Sequence, residues 1–98
     1  MTCIKICGIT RPQDALTAAA SGAQMIGLVF YQHSPRYVTV QHAAALCAAI
    51  PPSVKRVGLF VNPDAEEVHT VLHQVPLDIL QFHGEESSQF CEQFGRPY

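Results

Sequence analysis

Residues 3–7, CIKIC, alternate in character over five positions, the period of an extended strand whose successive side chains leave opposite faces. One face carries Cys3, Lys5 and Cys7; the other carries Ile4 and Ile6. Three further runs read as strands: MIGLVF at 25–30, KRVGLFV at 55–61 and LDILQFH at 77–83. In the last, Ile79, Gln81 and His83 share a face against Leu80 and Phe82, while Gly27 and Gly58 stand in the middle of the second and third strands. A face bearing Lys5, Gly27, Gly58 and Gln81 is a poor surface on which to pack a helix. It suits the interior of a barrel, where layers of side chains from different strands fit together.

Helical patterns fill the intervals. After a turn at Gly8-Ile9-Thr10, Thr10 and Gln13 have capping-box spacing, Pro12 fits a first helical turn and Gly22 supplies a stop. Thr39 starts a second helix with Ala43, Leu46, Cys47 and Ile50 on one stripe, ended by Pro51-Pro52. Asn62 is read as the cap and Pro63 as the opening of a third helix, buried through Val68, Val71, Leu72 and Val75. Ser87 to Phe94 forms a fourth, with Phe90, Cys91 and Phe94 on one face and Gly95 after it. The order is (βα)4, which builds a parallel sheet because each helix returns the chain to lay the next strand beside the last. A small doubly wound sheet and half of a (β/α)8 barrel both satisfy that order, and the strand faces favour the barrel.

With 98 residues the chain makes one domain at most. Its 48% hydrophobic content and net charge of −2 exclude a disordered chain and leave no basic surplus for a nucleic-acid backbone. The apolar runs fall well short of the ~20 residues of a membrane span, and no signal peptide is evident, so a cytoplasmic location is expected. The four cysteines form no C-x-x-C pair and no zinc-site spacing. Cys47 and Cys91 read as core fillers, and Cys3 and Cys7 stand too far apart along an extended strand for a disulfide. His69 and His73 lie four apart without the Glu of an HExxH motif and read as a solvated helix face, so no metal is expected. His33 and His42 carry no signal beyond loop and helix surface, and Glu85-Glu86 reads as negative charge at a helix start.

The motifs KICGIT (5–10), GLVFYQHSPRYV (27–38), VGLFVN (57–62) and LQFHGEE (80–86), in this order and spacing, resemble the phosphoribosylanthranilate isomerase family of tryptophan biosynthesis. The resemblance covers essentially the whole chain. It implies a single (β/α)8 TIM barrel, of which residues 1–98 are the first four βα units, a (βα)4 half. The implied reaction is an Amadori rearrangement of N-(5′-phosphoribosyl)anthranilate, an aminoaldose, to an aminoketose. An acid opens the furanose ring and a base takes the C2′ proton, with no cofactor.

On this resemblance Cys7 is the general base, a role that needs a neighbour favouring thiolate. Arg36 holds the anthranilate portion of the substrate, and Gln81 and His83 line the floor and rim of the site. Lys5 is expected to be buried in the barrel with its partner in the other half. The family's general acid, an aspartate, and its phosphate-binding loops are expected beyond Tyr98. The implied partner is a phosphorylated sugar–anthranilate substrate, with the full-length protein a monomer or homodimer. The 98 residues alone are expected to be inactive and to self-associate through the open edges of the first and fourth strands and the Gly27/Gly58/Gln81 face. The alternative is a complete, non-catalytic α/β binding module.

Overall fold

The computed structural model describes residues 4–84 and 86–98; Cys3 and Glu85, and what was expected of them, lie outside the described residues. Four strands and four helices alternate: β1 (Lys5–Cys7), α1 (Pro12–Ala20), β2 (Met25–Val29), α2 (Val40–Ala49), β3 (Lys55–Phe60), α3 (Ala65–Gln74), β4 (Ile79–Phe82) and α4 (Ser88–Glu92). All neighbouring strands are parallel and the sheet order is β1-β2-β3-β4. A doubly wound sheet would reverse direction at a switch point. Right-handed crossovers that always step the same way put every helix on one face and leave the other for a barrel interior. The order therefore decides between the two architectures.

The register assigns the faces. Met25, Gly27 and Val29 pair with Lys55, Val57 and Leu59, and Val57 and Leu59 with Ile79 and Gln81; with Lys5 and Cys7 of β1 these form the inner face. Ile26, Leu28, Phe60 and Leu80 belong to the outer face and are completely or almost completely buried beneath the helices, together with Leu46, Val68 and Val75. Gly58 is a correction. It pairs with Leu28 and Leu80, so it faces the helices rather than sharing a face with Gly27 and Gln81. A Cβ there would lie 2.5 Å from Leu77 Cδ1 and 3.2 Å from the Phe60 ring, so the glycine makes room for Leu77, between α3 and β4, and for an aromatic stack. Phe30 stacks on Phe60 with centroids 5.3 Å apart, Phe60 on Phe82 at 5.8 Å, and Phe82 meets Phe90 and Phe94 at 5.8 and 6.0 Å.

The helix stripes lie as the pattern requires: Ala43, Leu46, Cys47 and Ile50 of α2 and its end are buried, as are Val68, Val71 and Val75 of α3 and its end. Thr39 caps α2 by accepting from His42 N at 3.1 Å, and Ser87 caps α4 by accepting from Phe90 N at 3.1 Å. Two caps are corrections. Arg11, extended and without a side-chain cap bond, precedes α1 in place of Thr10, and Pro12 takes the first turn. Asp64, not Asn62, caps α3 by accepting from Glu67 N at 2.8 Å, because Asn62 adopts φ 46° and cannot hold the extended backbone of a cap. Arg56 spans the base of α2, donating to the carbonyls of Cys47 at 3.0 Å and Ile50 at 2.7 Å, and so supplies the positive charge that the last turn lacks.

Beyond α4, Leu80 N donates to Pro97 O at 2.8 Å and Arg96 Nε to Leu77 O at 3.1 Å, so the edge of β4 is not open along its length as expected. Among the described residues no helix is long and apolar enough to cross a membrane.

The aromatic stack predicts where stability resides. Phe60→Ala removes a fully buried ring and should cost ~3–5 kcal/mol in denaturant unfolding, whereas Leu16→Ala, on the exposed side of α1, should stay within ~0.5 kcal/mol.

Candidate active site

Cys7 is the last residue of β1, and its side chain is on the inner face and exposed. The chain then turns at Gly8, whose φ of 81° suits glycine, and Gly8 N donates to Gly27 O at 3.0 Å. Gly27, in register with Cys7, gives the thiol clearance: a Cβ there would lie 3.0 Å from Sγ.

Arg36 arrives from the loop after β2. That loop is folded back by bonds from Tyr37 N to Ser34 O at 3.2 Å, Arg36 N to Ser34 Oγ at 3.1 Å and Val38 N to Val29 O at 3.0 Å. Its side chain lies directly on Gly8, where a Cβ would meet Arg36 Cδ at 2.3 Å and Nη1 at 3.2 Å. The Arg36 side chain thus lies on the residue that follows Cys7, at the carboxyl end of β1, and no carboxylate among the described residues forms an ion pair with Arg36. A guanidinium so placed can take a carboxylate bidentately or stack on a ring.

The inner face also brings β1 and β4 together. Lys5 Nζ donates to Gln81 Oε1, and Gln81 Nε2 contacts His83 Nε2. On a flat sheet three strand spacings separate these strands by ~14 Å, beyond the reach of one lysine, so the sheet is curled toward its inner side. This corrects the expectation for Lys5. Its partner is Gln81, in the same four units rather than in the other half. His83, which is exposed, is held by its backbone N–H, which donates to Phe60 O at 2.8 Å. The floor between the polar groups is apolar, formed by Val29, Val57, Leu59 and Ile79. Lys5, Gln81 and His83 form one linked group on the face that also carries Cys7, with Arg36 seated on the residue after it.

Several supports were not legible beforehand. His42 is not merely surface: its Nε2 bonds to Thr10 O and ties α2 to the turn after Cys7. His69 is likewise no free helix face, since its ring meets Phe94 edge-on at 5.0 Å. Glu86 accepts from Gly84 N at 2.8 Å and Asn62 N at 2.7 Å, joining the loops after β3 and β4 instead of simply charging a helix start. An open depression of about 320 Å³ lies beside that junction, lined by Asn62, Pro63, Glu86, Ser87 and Phe90. The D-x-x-E spacing of Asp64 and Glu67 is the signal that could have found the α3 cap, and the acidic residue two after Gly84 the signal for the loop junction. Among the described residues no group of three or more His, Cys, Asp or Glu side chains could hold a metal ion.

Residues 4–96 match the family model described as N-(5′-phosphoribosyl)anthranilate (PRA) isomerase. This chain belongs to that family. It is 57% identical over 98 residues to the N-(5′-phosphoribosyl)anthranilate isomerase of Acidithiobacillus ferrooxidans, covering 100% of this chain and 48% of the relative. It is 61% identical over 94 residues to that of Pseudomonas fluorescens strain Pf-5, covering 96% and 45%. The crystal structure of phosphoribosyl anthranilate isomerase from Thermotoga maritima superposes with a TM-score of 0.92 at 42% identity, covering 97% of this chain and 46% of that one. A further PRA isomerase structure, in complex with reduced 1-(o-carboxyphenylamino)-1-deoxyribulose 5-phosphate, gives a TM-score of 0.92 at 42% identity and covers 97% and 49%. The chain spans about half the length of the curated PRA isomerases it matches.

The remaining described cysteines differ from Cys7 in burial. Burial pushes the thiols of Cys47 and Cys91 up from their ordinary value; for Cys91 the neighbouring charges of Glu86 and Glu92 push the same way, and for Cys47 Arg56 offsets part of the effect. Alkylation with iodoacetamide near neutral pH should therefore modify Cys7 at least ~10-fold faster than Cys47 or Cys91, as read by peptide mass spectrometry.

Proposed function

We propose that these four βα units carry the base-bearing and anthranilate-binding half of a PRA isomerase active site. The observation that supports it most is the seating of Arg36 on Gly8 beside Cys7, at the carboxyl ends of the strands where barrels of this architecture place their chemistry. In this reading the Arg36 guanidinium binds the anthranilate carboxylate or ring and so brings the sugar over the concave face. Cys7 as thiolate takes the C2′ proton of the ring-opened Schiff base, and the electrons move toward the iminium nitrogen to give the enamine that becomes the aminoketose. Gln81 and His83 line the floor and rim on the opposite side. The family resemblance calls for no cofactor, because the iminium itself is the electron sink. Protonation of the furanose oxygen and anchoring of the phosphate fall to groups outside these residues. The substrate is a phosphorylated sugar–anthranilate conjugate, and the site of action a cytoplasmic biosynthetic step.

In the complete barrel, Cys7→Ala and Arg36→Ala should each lower kcat/KM by ~10²-fold or more, the range expected of an acid–base group and a positioning clamp. Wild-type rates in both variants would overturn the assignment.

The 98 residues on their own should show no isomerase turnover, since a base and one charged anchor do not supply the transition-state interactions of the missing acid and phosphate grip. The uncovered concave face and the β1 edge should also make them associate, a two-fold dimer closing both at once. Sedimentation and a sensitive isomerase assay decide both points, and a stable monomer with turnover would refute the reading.

A further inference from the structure

The inner face holds a directional hydrogen-bond chain whose first member dictates the state of its last. A lysine ammonium has three donors and no acceptor, so the Gln81 atom that meets Lys5 Nζ must be the carbonyl Oε1. The carboxamide is planar, with oxygen and nitrogen on opposite sides, so Lys5 leaves Nε2 as the atom turned to His83. An amide nitrogen only donates. The ring nitrogen facing it, Nε2, must therefore accept, and a neutral imidazole that accepts at Nε2 carries its proton on Nδ1.

We propose that Lys5 and Gln81 are positioning residues that hold His83 as its Nδ1–H tautomer, making His83 a hydrogen-bond donor to a substrate oxygen rather than a second base. The proposal deepens, and rests on, the isomerase reading above. Each link is set by the fold. Lys5 and Gln81 lie on opposite edge strands that only the curl of the sheet brings together, and His83 N–H is anchored on Phe60 O at 2.8 Å. With its Nε2 lone pair engaged by Gln81, the ring retains one protonated nitrogen to offer. That division of labour leaves proton abstraction to Cys7, across the same concave face.

The test is ¹⁵N-histidine NMR on the complete barrel carrying these residues as its first four units. It is run at about pH 8.5, well above the ~6.5 of an ordinary imidazole. The His83 signal, identified by its loss in His83→Asn, should show the Nδ1–H pattern. In Gln81→Glu the carboxylate still accepts from Lys5 but now accepts from the ring, so His83 should switch to Nε2–H and kcat/KM should fall ~10-fold or more with the fold retained. Lys5→Met frees the amide to flip and should give a mixture of tautomers; it also serves where Gln81→Glu fails to fold. An Nε2–H pattern in the wild type, or a pattern unmoved by the variants, overturns the proposal. A switched tautomer with unchanged turnover overturns the positioning role. Retained activity in Cys7→Ala instead sinks the isomerase reading while leaving the tautomer assignment measurable.

Discussion

A parallel strand is reached from its neighbour only through a crossover, and three right-handed crossovers taken in one direction set the conditions for everything else in this chain. They place all the helices on one face, so the outer side of the sheet must be apolar and closely packed. Ile26, Leu28, Phe60 and Leu80 meet that demand, and the stack from Phe30 through Phe60 to Phe82 carries it across three strands to α4. The inner side is released from helix packing. Lys5, Cys7, Gln81 and His83 can gather there without their polar atoms being trapped beneath a helix.

The same geometry collects the loops that follow the strands at one end. Small residues make that end work at close range. Gly8 lets the Arg36 stem lie on the backbone next to Cys7, and Gly27 leaves space for the thiol. The loops are cross-tied rather than independent: His42 holds the turn after β1, and the Glu86 carboxylate holds the loops after β3 and β4. Groups from distant parts of the chain are thereby held by a rigid scaffold, the requirement for a site that must orient a substrate.

At the opposite end of the strands the work is structural. Arg56 gathers carbonyls from the end of α2, and its backbone N–H donates to Asp78 Oδ2 at 2.9 Å, linking β3 to the entry of β4. Charge there closes a helix terminus, whereas the Arg36 side chain at the other end lies on the half-buried backbone of Gly8. Two arginines of the same chemistry therefore have different surroundings according to which end of the sheet they occupy.

The sequence by itself determined the order of elements, the helix stripes, the Thr39 cap and the motifs that carry the family likeness, with Cys7, Arg36, Gln81 and His83 among them. These are local properties: a period of two or 3.6, a cap and the segment it precedes. Tertiary structure alone decided the rest. Alternation says which residues of one strand share a face but not how that strand registers with the next, so Gly58 could be placed with Gly27 until pairing put it opposite Leu28. A cap also needs a particular backbone angle, and the loop tied to Glu86 took that from Asn62 and left it to Asp64. The Lys5–Gln81 bond and the seat of Arg36 on Gly8 join residues 76 and 28 positions apart. Only the curl of the sheet and the folding-back of one loop bring those groups together, and no local pattern encodes either distance.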